Sequence, residues 1–236
     1  MAVKVIRYCW LVLTGFVAWI FMHLVNRTKI VGRENLPGCR NCLVIANHLT
    51  MIDSWFVTMA CVWPQMIWKP YLLPWHLPEE KNFLKKWPLK TMCWLWQCIP
   101  IHRGTGDFLH QLDLLTKKLH SSSVVIFPEG TRGRKPKSGE LFRWTKGAAY
   151  LAYQAKATIV PVAIRGSEDI LPIGKFLPRI GKRMVIIIDQ PFEPTGLYQK
   201  EKSEVLDVIS GLMKTRLQAI LTSATLLFEN KKPSSK

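Results

Sequence analysis

Two short stretches of this chain hold side chains that could run a reaction between them. NHLTMID, at 47–53, sets an imidazole, His48, five positions before a carboxylate, Asp53. A neutral imidazole can take a proton from a substrate hydroxyl, while a carboxylate partner fixes its tautomer and stabilises the imidazolium that forms. No Ser or Cys nucleophile is then required, because the deprotonated hydroxyl can attack an acyl group directly. FPEGTR, at 127–132, reads as the end of a strand entering a turn. Gly130 lets backbone amides face an anion, and Arg132 adds a two-pronged permanent cation. Glu129 could accept a hydrogen bond from a substrate hydroxyl, and Arg103, at the end of CIPIHR, could reach the same anion. Alone, each stretch reads as a capping Asp, a loop His or a turn with solvated charges. Together they describe a site that deprotonates a hydroxyl while holding a phosphate.

His48 and Asp53 would sit about 140° apart on a regular helix of ~3.6 residues per turn. They can meet only if the chain leaves a strand before His48, turns through 49–52 and starts a helix at Asp53, a residue type favoured at the N-cap. The flanking sequence allows this. CLVIAN (42–47), CIPIHR (98–103), VVIFPEG (124–130), TIVPVAI (158–164) and RMVIIID (183–189) are short, β-branched and almost continuously apolar. Strands buried on both faces have that character. Helical patterns at 53–61, 107–120 and 145–155 lie between them, and 201–228 carries apolar residues at helical spacing. This alternation predicts an α/β fold with a mixed, mostly parallel sheet flanked by helices.

The 236 residues include 33 Lys and Arg against 16 Asp and Glu, a formal charge of +17. That excess points to a polyanionic partner. Ten tryptophans, seven of them between Trp55 and Trp96 and interleaved with Lys, Pro and Leu, favour an anionic membrane surface. No nucleic-acid signature is present, and nucleic acid is not an expected partner. Cys39 and Cys42 form a C-x-x-C, but no second ligand pair follows at zinc spacing. Reduced, mostly buried thiols are expected.

Residues 8–25 carry no Asp, Glu, Lys or Arg. As a helix they would be about 27 Å long, close to the ~30 Å hydrocarbon layer. Basic residues flank both ends, so charge sets no orientation. A single span, a helix embedded in one leaflet and a buried amphipathic helix all fit. The chain divides into a membrane-associated N-terminal helix, 1–28, and one domain, 29–236, that includes the C-terminal helix.

With these residues in hand, the chain resembles the 1-acylglycerol-3-phosphate acyltransferases, the glycerolipid acyltransferase family. NHLTMID, CIPIHR, FPEGTR and IVPVAI match that family's four blocks in order. The Trp-rich stretch before CIPIHR, LFRWTKG (141–147) and DILPIGKFLPRIGKRM (169–184) look tafazzin-like. The resemblance implies that His48 is the general base and Asp53 its orienter. It implies that Arg103 and Arg132 hold the phosphate and that Glu129, Gly130 and Thr131 shape the acceptor pocket. It implies an α/β domain beside an N-terminal membrane-docking helical region, no bound cofactor or metal, and acyl-CoA or acyl-carrier protein as donor. The acceptor would be a lysophospholipid, foremost 1-acylglycerol-3-phosphate, with the site facing the cytoplasm. Two departures bear on the headgroup: His102 stands where the family often has Asp, and Thr145 precedes Lys146 where it is often doubly basic. The alternatives are a lysophospholipid acyltransferase, a thioester-independent transacylase, or a non-catalytic membrane-binding protein with the same fold.

Overall fold

CLVIA is apolar at every position, and in the computed structural model it forms the centre of the sheet, buried on both faces. The structure describes residues 2–38, 40–78, 87–101, 108–133, 139–197 and 202–230. Cys39, His102, Arg103, Asp107, the basic residues Arg134, Lys135 and Lys137, and the 231–236 tail lie outside the described residues. Six strands are β1 (Arg27–Val31), β2 (Cys42–Ala46), β3 (Pro74–His76), β4 (Ser123–Ile126), β5 (Thr158–Arg165) and β6 (Arg183–Ile188). They lie in the order β1-β6-β5-β2-β4-β3. Every neighbouring pair is parallel except β5 with β6. The sheet is therefore mixed and mostly parallel.

Side chains alternate across the sheet, as successive Cβ atoms in a strand must. Val44, Ala46, Val160, Val162 and Ile164 point to one face. That face is covered by α2 (Asp53–Val62) and, beyond it, by α1 (Ala2–Ile20). Leu43, Ile45, Val124 and Ile159 point to the other face. There they meet α4 (Phe108–Ser121), α5 (Gly147–Ala155) and α7 (Lys202–Glu229). The short helices α3 (Trp87–Leu95) and α6 (Ser167–Ile170) lie against α1 and β6 respectively. Strands sandwiched in this way need no polar face, which is why β2, β5 and β6 show as apolar runs.

The expected strand 98–103 is reduced, in its described part, to isolated pairing beside β3. Cys98 bridges His76, the Ile99 amide donates to the His76 carbonyl at 2.8 Å, and the Ile101 amide donates to the Pro78 carbonyl at 3.0 Å. Pro78 has no N–H to return to the Ile99 carbonyl, so no continuous ladder forms. β1, β3 and α3 were not expected from sequence.

α1 continues into a π-helical turn, Phe21–Val25. Val5–Val25 is long and apolar enough to cross a membrane by length and composition. One side of α1 packs tightly on α2: Leu11, Ala18 and Met22 are buried, and a Cβ on Gly15 would come within 2.5 Å of the Trp63 ring. The Phe21 and Phe56 rings stack at 6.2 Å. The other side exposes Val5, Ile6, Leu13, Phe16, Val17, Trp19 and Leu24. The Trp-rich stretch divides in the same way: Trp68 and Trp87 are exposed, while Trp55 stacks on Trp96 at 6.3 Å.

Candidate active site

β2 and β4 are parallel neighbours in register, with Ile45 opposite Ile126. Three residues beyond each paired position stand His48 and Glu129, so the two chemistry-bearing stretches leave the same edge of the sheet side by side. Their backbones are tied there. Glu129 Oε1 accepts from the His48 amide at 2.7 Å, and the Gly133 amide donates to the His48 carbonyl at 2.8 Å. The imidazole lies on the Phe127 ring, 4.3 Å between centroids and 21° from parallel. On the other flank, Asn47 replaces a strand residue with its own side chain. Its amide donates to the Ile164 carbonyl at 2.9 Å and its oxygen accepts from the Ile164 amide at 2.8 Å. His48 is thus held from both neighbouring strands of β2.

The chain does turn through 49–52 and start α2 at Asp53, and His48 Nδ1 lies 3.2 Å from Asp53 Oδ2. Asp53 does not act as an N-cap, however. Ile52 is the N-cap residue, and the Asp53 carboxylate points backwards, away from α2. Oδ2 accepts from the amides of Leu49 and Thr50, both at 2.6 Å, and Oδ1 from the Thr50 hydroxyl at 2.7 Å. Asp53 is fully buried and His48 is 20% exposed. An ionised carboxylate only accepts, so Nδ1 carries the imidazole proton and the Nε2 lone pair is left for a substrate. Such a buried carboxylate is held by three donors of its own loop before the imidazole is counted.

The expectation that Glu129 accepts from a substrate hydroxyl does not fit. Its second oxygen accepts from the Phe142 amide at 2.7 Å, and the residue is 2% exposed. Burial raises its carboxyl pKa, against the pull of the two amides in the other direction. Glu129 therefore fastens three loops: its own, the His48 loop and the LFRW segment. Gly130 sits at φ +67°, where a side chain would strain the turn. The Thr145 amide and hydroxyl both donate to the Pro128 carbonyl, at 2.9 and 2.8 Å. A Lys at 145 could not make the second bond. Lys146 pairs instead with Asp207 on α7. Thr131 and Arg132 are exposed beyond the turn. Arg103 lies outside the described residues. Asn47, Thr50 and Thr145 were not singled out as site residues from sequence. The Asn before His was visible in NHLTMID, but nothing local marks a partner 117 positions away.

Beside this site, Ser54 and His76 Nδ1 form a short hydrogen bond. Burial pulls the His76 pKa down to about 4, so this second imidazole is neutral near pH 7.

The arrangement sets an imidazole, with Nδ1 on a buried carboxylate, beside a turn whose Arg132 is exposed, while the Gly130 amide is taken up by the Phe127 carbonyl at 2.9 Å and so does not face an anion as expected. The family model described as Acyltransferase matches residues 27–165, more than half of the chain. A chloroplastic 1-acyl-sn-glycerol-3-phosphate acyltransferase of Brassica napus is 30% identical over 160 residues, 66% of this chain and 42% of that protein. The alpha form from Mus musculus is 26% identical over 200 residues, 83% of this chain and 65% of that protein. The chain spans about half the length of the curated relatives it matches. The crystal structure of the 1-acyl-sn-glycerophosphate acyltransferase PlsC from Thermotoga maritima shares the fold. Its TM-score is 0.59 at 20% identity, covering 88% of this chain and 74% of that one. With its sheet order, its tied His48 and FPEGTR loops and this family match over most of the sheet, the chain belongs to the acyltransferase family.

Proposed function

We propose that this protein moves a fatty acyl group from a thioester to the sn-2 hydroxyl of 1-acylglycerol-3-phosphate, giving phosphatidate. The observation that carries the reading is the His48–Asp53 contact, with Nε2 left free beside the FPEGTR turn. Nε2 takes the hydroxyl proton as the oxygen attacks the thioester carbonyl. The Asp53 carboxylate stabilises the imidazolium, the C–S bond of the tetrahedral adduct breaks, and the imidazolium returns its proton to the departing sulfur. Arg132, with Arg103, binds the acceptor phosphate. The names of the relatives support this acceptor. The +17 charge suits either an acyl-CoA or an acyl-carrier-protein donor, since both are anionic.

The protein is also proposed to sit on a membrane, with the site on the cytoplasmic side. Every exposed residue described on α1 and its π turn is apolar, which supports lipid contact. Because α1 is packed on α2, a full crossing would pull α2 and the sheet into the hydrocarbon. A helix lying in one leaflet keeps both contacts.

The test is acyl transfer by purified full-length protein, wild type beside His48→Ala, with a thioester donor and a panel of lysophospholipids. The His48 backbone makes the ties to Glu129 and Gly133, so the variant keeps its fold. Its rate is expected to fall about 10²–10⁴-fold. A folded His48→Ala protein with wild-type turnover would overturn the assignment.

A further inference from the structure

The connection before β6 is the most exposed apolar segment of the described chain outside α1. Phe176 is 86% exposed, Leu177 84%, Ile180 71% and Ile173 52%. Lys175, Arg179 and Lys182 are interleaved with them, and 173–182 contains no acid. Single exposed apolar residues need no explanation, but four within eight positions of a loop do. The segment is held in place. The Arg179 amide donates to the Ile170 carbonyl at 2.7 Å, and the Lys175 amide to the Pro172 carbonyl at 3.0 Å. It is also seated on the end of the N-terminal helix: the Gly181 amide donates to the Val25 carbonyl at 3.0 Å, and the Lys182 amide to Asn26 Oδ1 at 2.9 Å. The apolar outer side of α1, ending in exposed Leu24, therefore runs on into this loop.

Topology fixes which edge of the sheet carries it. β2 and β5 run parallel and end together, with Asn47 bonded to Ile164. β6 runs antiparallel to β5 and so starts at that edge, Arg165 pairing with Val185. The loop that feeds β6 thus stands on the same rim as His48 and Glu129, which follow the ends of β2 and β4.

We propose that residues 173–182 are a second bilayer contact, inserting Phe176, Leu177 and Ile180 among the acyl chains of an anionic membrane while Lys175, Arg179 and Lys182 meet the headgroup phosphates. Aromatic and aliphatic tips between cations match the two layers of such a surface, and the continuity with α1 gives the contact its extent. The contact turns the rim that carries His48 toward the lipid, so a substrate with its chain in the bilayer reaches Nε2 without leaving it. The proposal rests on the membrane reading of α1, and the test keeps the two apart.

Full-length protein is sedimented with vesicles of phosphatidylcholine alone and with phosphatidylglycerol added, and backbone hydrogen exchange is measured on the vesicle-bound fraction. Exchange in 173–180 is expected to slow on anionic vesicles. Phe176→Ser with Leu177→Ser should lower vesicle partition roughly tenfold or more. Lys175→Glu with Arg179→Glu should lower it on anionic vesicles alone, by roughly fivefold for each lost cation. Both pairs are exposed, so melting without vesicles stays at the wild-type value. Sedimentation with unchanged loop exchange and unchanged partition of both variants would overturn this proposal and leave α1 as the anchor. No sedimentation would overturn both readings.

Discussion

Replacing Asp53 separates its structural duty from its chemical one. Besides the His48 imidazole, Asp53→Ala deprives three donors of its own loop of their acceptor: the amides of Leu49 and Thr50 and the Thr50 hydroxyl. Leu49 and Thr50 are buried, so water does not replace the lost partner. At about 1–3 kcal/mol for each orphaned donor, with the hydroxyl free to rotate, the loss is about 3–6 kcal/mol. That is a large part of the ~5–15 kcal/mol that holds a domain folded. Asp53→Asn behaves differently. Its oxygen can keep both amides and its NH2 can donate to Thr50 Oγ1, so the loop survives with about 1–2 kcal/mol lost. What disappears is the charge beside His48 Nδ1. At 3.2 Å and an effective dielectric of about 20, a full imidazolium–carboxylate pair is worth about 5 kcal/mol, and a half-transferred proton about half of that. The rate should fall about 10²–10³-fold. Denaturant unfolding and product formation by mass spectrometry, on both variants, read the two effects. A stable Asp53→Ala protein, or a folded Asp53→Asn protein within a few-fold of the wild-type rate, would refute the reasoning.

Glu129→Ala leaves the His48 and Phe142 amides unpaired and should cost about 2–5 kcal/mol in unfolding free energy. Rescue by an added carboxylic acid would show that the acid is wanted for its acceptor oxygens. Gly130→Ala should cost about 1–2 kcal/mol, all of it backbone strain, because its Cβ meets only Thr145 Cγ2 at an ordinary 3.6 Å. A melt unchanged by that substitution would contradict the turn. Stability should also fall with acid through His76. The unfolded ring takes its proton near 6.5 and the folded one only near about 4, so stability is intact above 6.5 and drops by about 3 kcal/mol between those values. Glu129, raised by burial, contributes with the opposite sign as pH rises through the carboxylate range. The His76 share is therefore read as the part of the slope that His76→Gln removes.

The sequence by itself determined the family and the class of fold. His48, Asp53 and FPEGTR are recognisable because the proton transfer and anion binding proposed for them demand those side-chain types. The central strands are recognisable because burial on both faces leaves only apolar residues to choose. Peripheral pieces were not legible in that way. RTKIV and PWH lack a continuous apolar run and become β1 and β3 only through the pairing that β6 and β4 offer. Helix propensity suggested that Asp53 would cap α2, but the tight 49–52 turn turned its carboxylate back onto its own loop. Only the tertiary structure decided that Glu129 braces His48, that Asn47 stands in for a strand residue against Ile164, and that the loop before β6 shares the rim of the site. Each of these depends on strand order, which brings together residues far apart in the chain, and no local spacing encodes it.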